Sequence, residues 1–270
     1  MIGAPEFDYN RIKRQPLLKE GVTCDILGVK LAVSNMRSVI TQLSDHLEEY
    51  RGRYVCVTNV HTDVMAHDNP KYGRVQNKAV LAVPDGKPLA YMLRKNGHPE
   101  AERIAGPELL PALCALSEER GYRHFFYGAS EETLQKLKTN LMRAFPRLQI
   151  AGTYAPPFKP LSGISAEEMA AEAARINETR PDFVWVGLGA PKQEFWMARQ
   201  EGRVNAVMLG VGAAFEFHAG TVKRAPVWVQ RLCLEWLYRL LQDPGRLLKR
   251  YVTTNARFLW LNLRKRERTP

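Results

Sequence analysis

The sequence predicts an α/β protein: an open, mainly parallel sheet with helices on both faces and a C-terminal helical appendage. The expected strands are short, continuous apolar runs, which is typical of strands buried on both faces. Helical patterns separate each strand from the next, as in a sheet of Rossmann type. From Pro226 onward only helical periodicity remains, and this predicts the appendage.

The elements follow one another in regular alternation. Strands are expected at 54–60, 79–86, 124–130, 148–155, at the start of 181–196 and at 205–217. Helices are expected at 62–78, 106–120, 131–145, 165–178 and at the end of 181–196. Gly106-Pro107 and Gly121 bracket one of these helices, and Ser130 is placed to cap another.

The chain of 270 residues divides into three predicted parts. Residues 1–27 read as a polar lead-in, 28–220 as the Rossmann-like core and 221–270 as the appendage. A hydrophobic fraction of 45% excludes a disordered chain. There is no apolar run of the ~18 residues that span a bilayer and no secretory signal, so we expect a cytoplasmic protein. Four widely spaced cysteines argue against a zinc site and a disulfide framework.

Positive charge is concentrated in the appendage. Residues 221–270 contain twelve Lys and Arg against three acidic residues, which accounts for +9 of the net charge of +11. A nearly neutral body with a basic tail predicts an anionic partner, which is a nucleic acid, an acidic membrane or a phosphorylated substrate.

Polar groups and glycines collect where the strands end, which is where open α/β sheets bind their ligands. They are Asn59, His61, Asp85, Gly128, Ser130, Gln193 and Glu194. A carboxylate there can accept a proton from an attacking hydroxyl, and a Gly-Ala-Ser helix start can offer N–H groups to phosphate.

Each of these residues also has a purely structural interpretation. Pro-Asp-Gly is a common turn, and His61 can simply begin a helix. Gln193 and Glu194 can occupy a first helical turn, where a carboxylate suits the helix dipole. The Gly-x-Gly at 187–189 lacks the third glycine of the dinucleotide fingerprint, which argues against a nicotinamide-dependent oxidoreductase.

The appendage is amphipathic. At 100° per residue, Arg246, Arg250, Arg257 and Arg264 lie within about 40° of one another. Apolar residues occupy the broad opposite side: Leu247, Leu248, Tyr251, Val252, Phe258, Leu259 and Leu263. In the preceding helix one face carries Arg231, Glu235, Arg239 and Gln242, and another carries Trp236, Leu237, Leu240 and Leu241. This pattern predicts a helix on an anionic membrane; the alternative is that its apolar side packs on the body or on another subunit.

Four motifs together resemble the WecG/TagA/CpsF glycosyltransferases between about Gly28 and Tyr251. They are VPDGKPLAYMLR, RIAGPELLPALC, VGLGAPKQEFW and GVGAAFEFHAGTVKRAPVWVQRLCLEWLYRLLQDPGR. The resemblance implies a Rossmann-like body with a C-terminal helical appendage. It also implies transfer of a sugar from a UDP-sugar to a polyprenyl-diphosphate-linked sugar, with inversion and without a metal or other cofactor. The reaction would serve bacterial cell-surface polysaccharide synthesis at the cytoplasmic face of the inner membrane, where the protein would be peripheral.

The resemblance also implies roles for particular residues. The aspartate of the family's Pro-Asp-Gly motif, its proposed general base, falls on Asp85. Substrate-binding positions fall on Gly187, Gly189, Gln193, Glu194 and Arg224, and on some of Arg231, Arg239 and Arg246. The chain has Asn59-Val60-His61 where many members have Thr-x-Asn, so His61 either binds the sugar or competes with Asp85 as the base. Glu108 replaces a more usual Asp, a conservative difference.

The sequence leaves several points open. UDP-glucose, UDP-N-acetylmannosamine and UDP-N-acetylmannosaminuronate all remain candidate donors, and a homo-oligomer is compatible with the chain. The rival class is a nucleic-acid-binding α/β protein without enzymatic activity. We do not expect a nucleic-acid partner, because the tail aromatics lie mainly opposite the arginines, whereas nucleic-acid-binding faces interleave the two.

Overall fold

The computed structural model describes residues 8–226, 228–229, 234–242 and 244–266. In the last two helices it describes the backbone and part of the side chains. The strands are β1 (Thr23–Ile26), β2 (Val29–Ala32), β3 (Tyr54–Thr58), β4 (Leu81–Pro84), β5 (Arg123–Gly128), β6 (Gln149–Tyr154), β7 (Phe183–Gly187) and β8 (Val207–Gly210).

Helices connect the strands. They are α1 (Tyr9–Lys13), α2 (Met36–Asp45), α3 (Leu47–Tyr50), α4 (Val60–Asp68), α5 (Pro70–Lys78), α6 (Lys87–Lys95), α7 (Gly106–Arg120), α8 (Glu131–Ala144), α9 (Ala166–Glu178), α10 (Lys192–Gln200), α11 (Ala214–Ala219), α12 (Glu235–Gln242) and α13 (Pro244–Arg266). A 3₁₀ turn at Leu161–Gly163 precedes α9.

The six strands β3 to β8 form one sheet in the order β4-β3-β8-β7-β5-β6, and every pair is parallel. Alternate residues of β3 enter different cores: Val55 and Val57 join one apolar cluster, and Tyr54 and Cys56 join the other. Helices therefore cover both faces, which is why the strands read as continuous apolar runs. The predicted open α/β fold with C-terminal helices is confirmed.

Local signals decide where the helices begin and end. The predicted helix at 106–120 is confirmed at both ends, and Gly121 closes it with φ +75°. Ser130 accepts a hydrogen bond from the Thr133 amide and so caps α8, as predicted. The single helix expected at 62–78 is instead two, because Asn69 caps a new helix that starts at Pro70.

Some elements were not anticipated from the sequence. The strand expected at 205–217 ends at Gly210, and the run after the Gly212 turn forms α11. The expectation was wrong beyond Gly210 because a short apolar run fits a buried helix as well as a strand. The antiparallel hairpin β1–β2 was not predicted either, and it crosses the proposed boundary at residue 27. The three-part division of the chain stays a proposal.

The last helix lies along the body of the protein. α13 packs on α4. Phe258 is 5% exposed within a core cluster, and both Nε and Nη2 of Arg257 bind the Asp68 carboxylate, at 2.8 and 2.6 Å. One face of this helix is therefore held by the core.

A buried histidine links two strands to a helix. Within the sheet, His124 accepts a hydrogen bond from the Trp185 indole at Nδ1, 2.8 Å, and its Nε2 lies 2.8 Å from the Ser117 hydroxyl. The Ser117 hydroxyl donates to the Leu113 carbonyl. Nε2 must therefore carry the proton, and the neutral ring is fully bonded. Burial lowers the pKa of His124 to about 3.

The low pKa makes the stability of the protein fall in acid. Between its ordinary pKa of 6.5 and about 3, the unfolded chain binds a proton at His124 that the folded chain does not. His124→Gln should therefore make the free energy of unfolding less dependent on pH, by up to ~1.4 kcal/mol per pH unit in this range. Urea unfolding at several pH values measures it. Parallel curves for the two proteins would contradict the assignment.

Candidate active site

The parallel sheet brings the predicted site residues to one edge. Asp85 follows β4, Asn59 follows β3, Gly212 lies two residues after β8, and Gly187 and Gly128 end β7 and β5. Because these five strands are neighbours, about 4.8 Å apart from one to the next, the groups form a continuous row. The row lies beyond the carboxyl ends of the strands, where such sheets bind ligands.

Asp85 is fixed at the end of β4. Its backbone amide donates to the Thr58 carbonyl of the neighbouring strand at 2.7 Å, and its side chain is partly buried. Burial is the main cause that raises the pKa of Asp85 to about 7; Arg103 and Arg224 lower it, and the nearby acidic groups raise it. At neutral pH a large fraction of a carboxyl with this pKa is ionised and can accept a proton. The raised pKa also makes it a stronger base than an ordinary aspartate.

Four charged side chains form a ring next to Asp85. Nη2 of Arg103 and Nη2 of Arg224 both bind Oε1 of Glu108, each at 2.5 Å. Nε of Arg224 donates to Oε1 of Glu235 at 3.1 Å, and Nη1 of Arg103 lies 3.8 Å from Oε2 of Glu235. This arginine–glutamate ring brings two guanidinium groups together near the end of the sheet where Asp85 lies.

Most of the ring was missed by the sequence analysis. Arg224 was predicted, but Arg103 was not, and Glu108 was treated only as a conservative difference. The available signal was their position: Arg103 and Glu108 belong to the quoted RIAGPELLPALC motif, where charged residues flank an apolar helix start. Glu235 was assigned only to a face of the tail helix.

Gln193 and Glu194 lie beneath the glycine loops. Oε1 of Gln193 accepts hydrogen bonds from the amides of Gly189 and Gly212, both at 3.1 Å. Its Nε2 donates to Glu194 at 2.9 Å. The two side chains are 4% and 1% exposed. Gln193 therefore joins the loops after β7 and β8, and these contacts indicate a positioning role; direct binding of substrate by either residue stays a prediction.

Asn59 and His61 begin α4. Oδ1 of Asn59 accepts from the amides of His61 and Thr62, and the Thr62 hydroxyl accepts from the Asn59 amide in return. The side chains of Asn59 and Thr62 thus form a capping box at the start of α4. His61 is partly buried in the first turn. Their part in sugar binding stays a prediction.

Gly128 allows a close approach between two loops. Its φ is +118°, and a Cβ atom built on it would lie 2.6 Å from the Gly187 carbonyl oxygen. The next amide, of Ala129, donates to that carbonyl at 3.2 Å. The chain then enters α8 through the Ser130 cap, so the first turn of this helix begins at the same edge of the sheet.

The other arginines predicted to bind substrate are Arg231, Arg239 and Arg246. Arg231 and the side chains of Arg239 and Arg246 lie outside the described residues. Among the residues that the structure describes, no group of three or more His, Cys, Asp or Glu side chains could hold a metal ion.

Comparison with known proteins identifies the family. The sequence model of the glycosyl transferase WecG/TagA/CpsF family matches residues 24–270. The chain belongs to this family. The resemblance inferred from four motifs between about Gly28 and Tyr251 is thereby confirmed, and the protein is a glycosyltransferase.

Three curated relatives of this WecG/TagA/CpsF member share the name N-acetylglucosaminyldiphosphoundecaprenol N-acetyl-beta-D-mannosaminyltransferase. A protein from Bacillus spizizenii strain W23 is 32% identical over 215 residues, which are 79% of this chain and 80% of that protein. One from Bacillus subtilis strain 168 is 30% identical, covering 79% and 81%. One from Staphylococcus aureus strain MW2 is 27% identical, covering 83% and 86%.

The contact at Gly128 can be tested by adding one methyl group. Gly128→Ala should destabilise the glycosyltransferase by roughly 2 kcal/mol or more, because the new Cβ meets a backbone carbonyl and the left-handed φ is also strained. Gly97→Ala is the matched control, since Gly97 has φ +97° but nothing within 4 Å of its Cβ position. Denaturant unfolding measures both. Equal losses would show that the contact between the loops is unimportant.

Proposed function

We propose that Asp85 is the general base of an inverting transfer from a UDP-sugar to a polyprenyl-diphosphate-linked saccharide. The observation that carries the proposal is the position of the Asp85 carboxyl at a strand end, where the charges of Arg103 and Arg224 act on its pKa. A base and two phosphate-binding cations are needed close together in such a transfer, because the acceptor loses a proton while the leaving diphosphate gains charge.

The relatives narrow the choice of sugar. Their shared name specifies transfer of N-acetylmannosamine to an acceptor whose first sugar is N-acetylglucosamine. We therefore take UDP-N-acetylmannosamine as the donor and N-acetylglucosaminyl-diphospho-polyprenol as the acceptor. Nothing in these names supports UDP-glucose, and the uronate form of the mannosamine donor is the second candidate.

In the proposed step, Asp85 accepts the proton of the acceptor hydroxyl as the hydroxyl oxygen attacks the anomeric carbon. The new carbon–oxygen bond forms on one face of the sugar, and the bond to the β-phosphate oxygen breaks on the other. UDP leaves with the electron pair of that bond. The products are the glycoside with inverted configuration, UDP and protonated Asp85, which then returns its proton to solvent.

The charge on UDP is stabilised by groups at the same edge. Arg103 and Arg224 can each offer two donors to a phosphate, and arginine stays charged at any relevant pH. The Gly128 and Gly189 loops border the same edge of the sheet. In this proposal Gln193 and Glu194 hold the loops in place, and Asn59 and His61 border the sugar.

The role of Asp85 predicts a pH dependence. With a pKa of about 7, the base is protonated in acid, so kcat/KM should rise with pH and level off above about pH 7. Asp85→Asn should lower turnover at least ~10²-fold, with UDP affinity nearly unchanged. A UDP-release assay with a short-chain lipid-diphosphate acceptor measures both. Near-normal turnover of the variant would move the role to His61, and His61→Gln would then be the variant to test.

We also propose that the appendage, residues 221–270, completes the site and binds the cytoplasmic face of the membrane peripherally. Arg224 and Glu235 bring it to Asp85. On the side of α13 away from the core lies an apolar strip that is 52–63% exposed: Leu248, Val252, Leu259 and Leu263. Trp260 lies beside it, with the Arg264 guanidinium 4.4 Å from its ring. Apolar and basic groups side by side suit an anionic lipid surface.

Both interpretations of the tail helix thus have support, since one side of α13 packs on the core and another side is exposed. No helix in the described part of the chain is long and apolar enough to cross a membrane. The rival nucleic-acid function is not favoured by the family to which the chain belongs.

The exposed strip can be tested without disturbing the packed side of α13. Changing Leu248, Leu259 and Leu263 together to Ser should weaken binding to anionic vesicles at least ~tenfold, because each leucine contributes on the order of 1 kcal/mol when it enters the lipid. Leu17→Ser is the control, since Leu17 is 56% exposed but lies in the N-terminal segment. Flotation at low and high salt measures binding. Unchanged flotation of the triple variant would show that the strip is not the anchor.

A further inference from the structure

Glu235 has an unusual position for an acidic residue. It starts α12 in the basic appendage, yet its side chain is only 24% exposed and faces the guanidinium groups of Arg224 and Arg103. The donors that it occupies are among those that the proposed function assigns to diphosphate. In this arrangement a substrate phosphate and Glu235 compete for the same cations.

The charges of the site make this competition decisive. Glu108 and Glu235 bring two negative charges to the ring, and Arg103 and Arg224 bring two positive charges. The ring is therefore neutral, while a nucleoside diphosphate itself carries at least two negative charges. Since like charges repel at close range, the diphosphate binds well only if a carboxylate moves away.

Of the two ring glutamates, Glu235 is held less closely by the arginines, at 3.1 and 3.8 Å against 2.5 Å for both contacts of Glu108. Glu108 belongs to the first turn of α7, a buried core helix, and it bridges both arginines. Glu235 instead belongs to the short helix α12, whose Trp236 and Leu241 are 42% and 75% exposed. A helix with so much exposed apolar surface loses little packing when it shifts.

We propose that Glu235 competes with a nucleoside diphosphate for Arg224 and Arg103, and that the diphosphate displaces Glu235 when it binds. The proposal rests on the proposed function, because it takes the two arginines as the diphosphate ligands. Glu108 stays in place and positions the arginines. Displacement of Glu235 moves the start of α12, so donor binding and the position of the appendage are coupled.

The direct test is the affinity of the full-length protein for UDP. Glu235→Gln keeps the size of the side chain and removes the competing charge, so the Kd for UDP should fall about fivefold, the order expected for losing one partly exposed ion pair. Glu201→Gln is the matched control: Glu201 pairs with Arg53 at 3.1 Å and is 26% exposed, but it lies at the opposite end of the sheet. Isothermal calorimetry with UDP and with uridine should show a change for UDP only.

The outcomes are distinguishable. Equal or weaker UDP binding by Glu235→Gln, with normal UDP binding by the wild type, would overturn this proposal and leave the proposed function standing. Absence of UDP binding by the wild type would overturn the proposed function itself. Hydrogen exchange of the unaltered protein gives an independent check, because UDP should speed exchange at 235–242. Slower or unchanged exchange there would contradict displacement of Glu235.

Discussion

The arginine–glutamate ring holds together the proposed active site of this enzyme. It joins four separate parts of the chain: the loop before α7, the first turn of α7, the linker after α11 and the start of α12. Through it the basic appendage reaches the end of the core where the strand-end residues lie. The same four charges act on the pKa of Asp85, so in the proposed function one set of contacts affects both the base and the binding of phosphate.

The sheet supplies the rigid part of this arrangement. Asp85 is held by the hydrogen bond of its amide to β3, and the glycine loops are held by the buried side chain of Gln193. Groups fixed in this way suit the proposed reaction, in which charge develops on a leaving diphosphate, since they need no reorganisation during the step. In the proposed function the appendage, with its exposed apolar surface, is the part that meets a membrane-bound acceptor.

Much of this could be predicted from the sequence, and the rest could not, for physical reasons. Strands buried on both faces leave a continuous apolar signature, so the sheet and the row of strand-end residues were recognisable. Asp85 lies in a Pro-Asp-Gly motif, which is a common turn, and only the family resemblance indicated a role as general base. Arg103 and Glu235 are 132 residues apart, and periodicity says nothing about ion pairs between such distant segments. The hairpin β1–β2 was missed because its two strands are short and partly polar.

Burial and the neighbouring charges together hold the pKa of the Asp85 carboxyl at about 7. The most direct measurement is a ¹³C NMR titration of the aspartate carboxyl groups, with the Asp85 signal identified by its loss in Asp85→Asn. We expect a pKa of about 7 for Asp85 in the wild type and a lower value in Glu108→Gln, where one of the neighbouring acids that raise it is neutralised. A pKa near the ordinary 3.8, unchanged by that substitution, would contradict it.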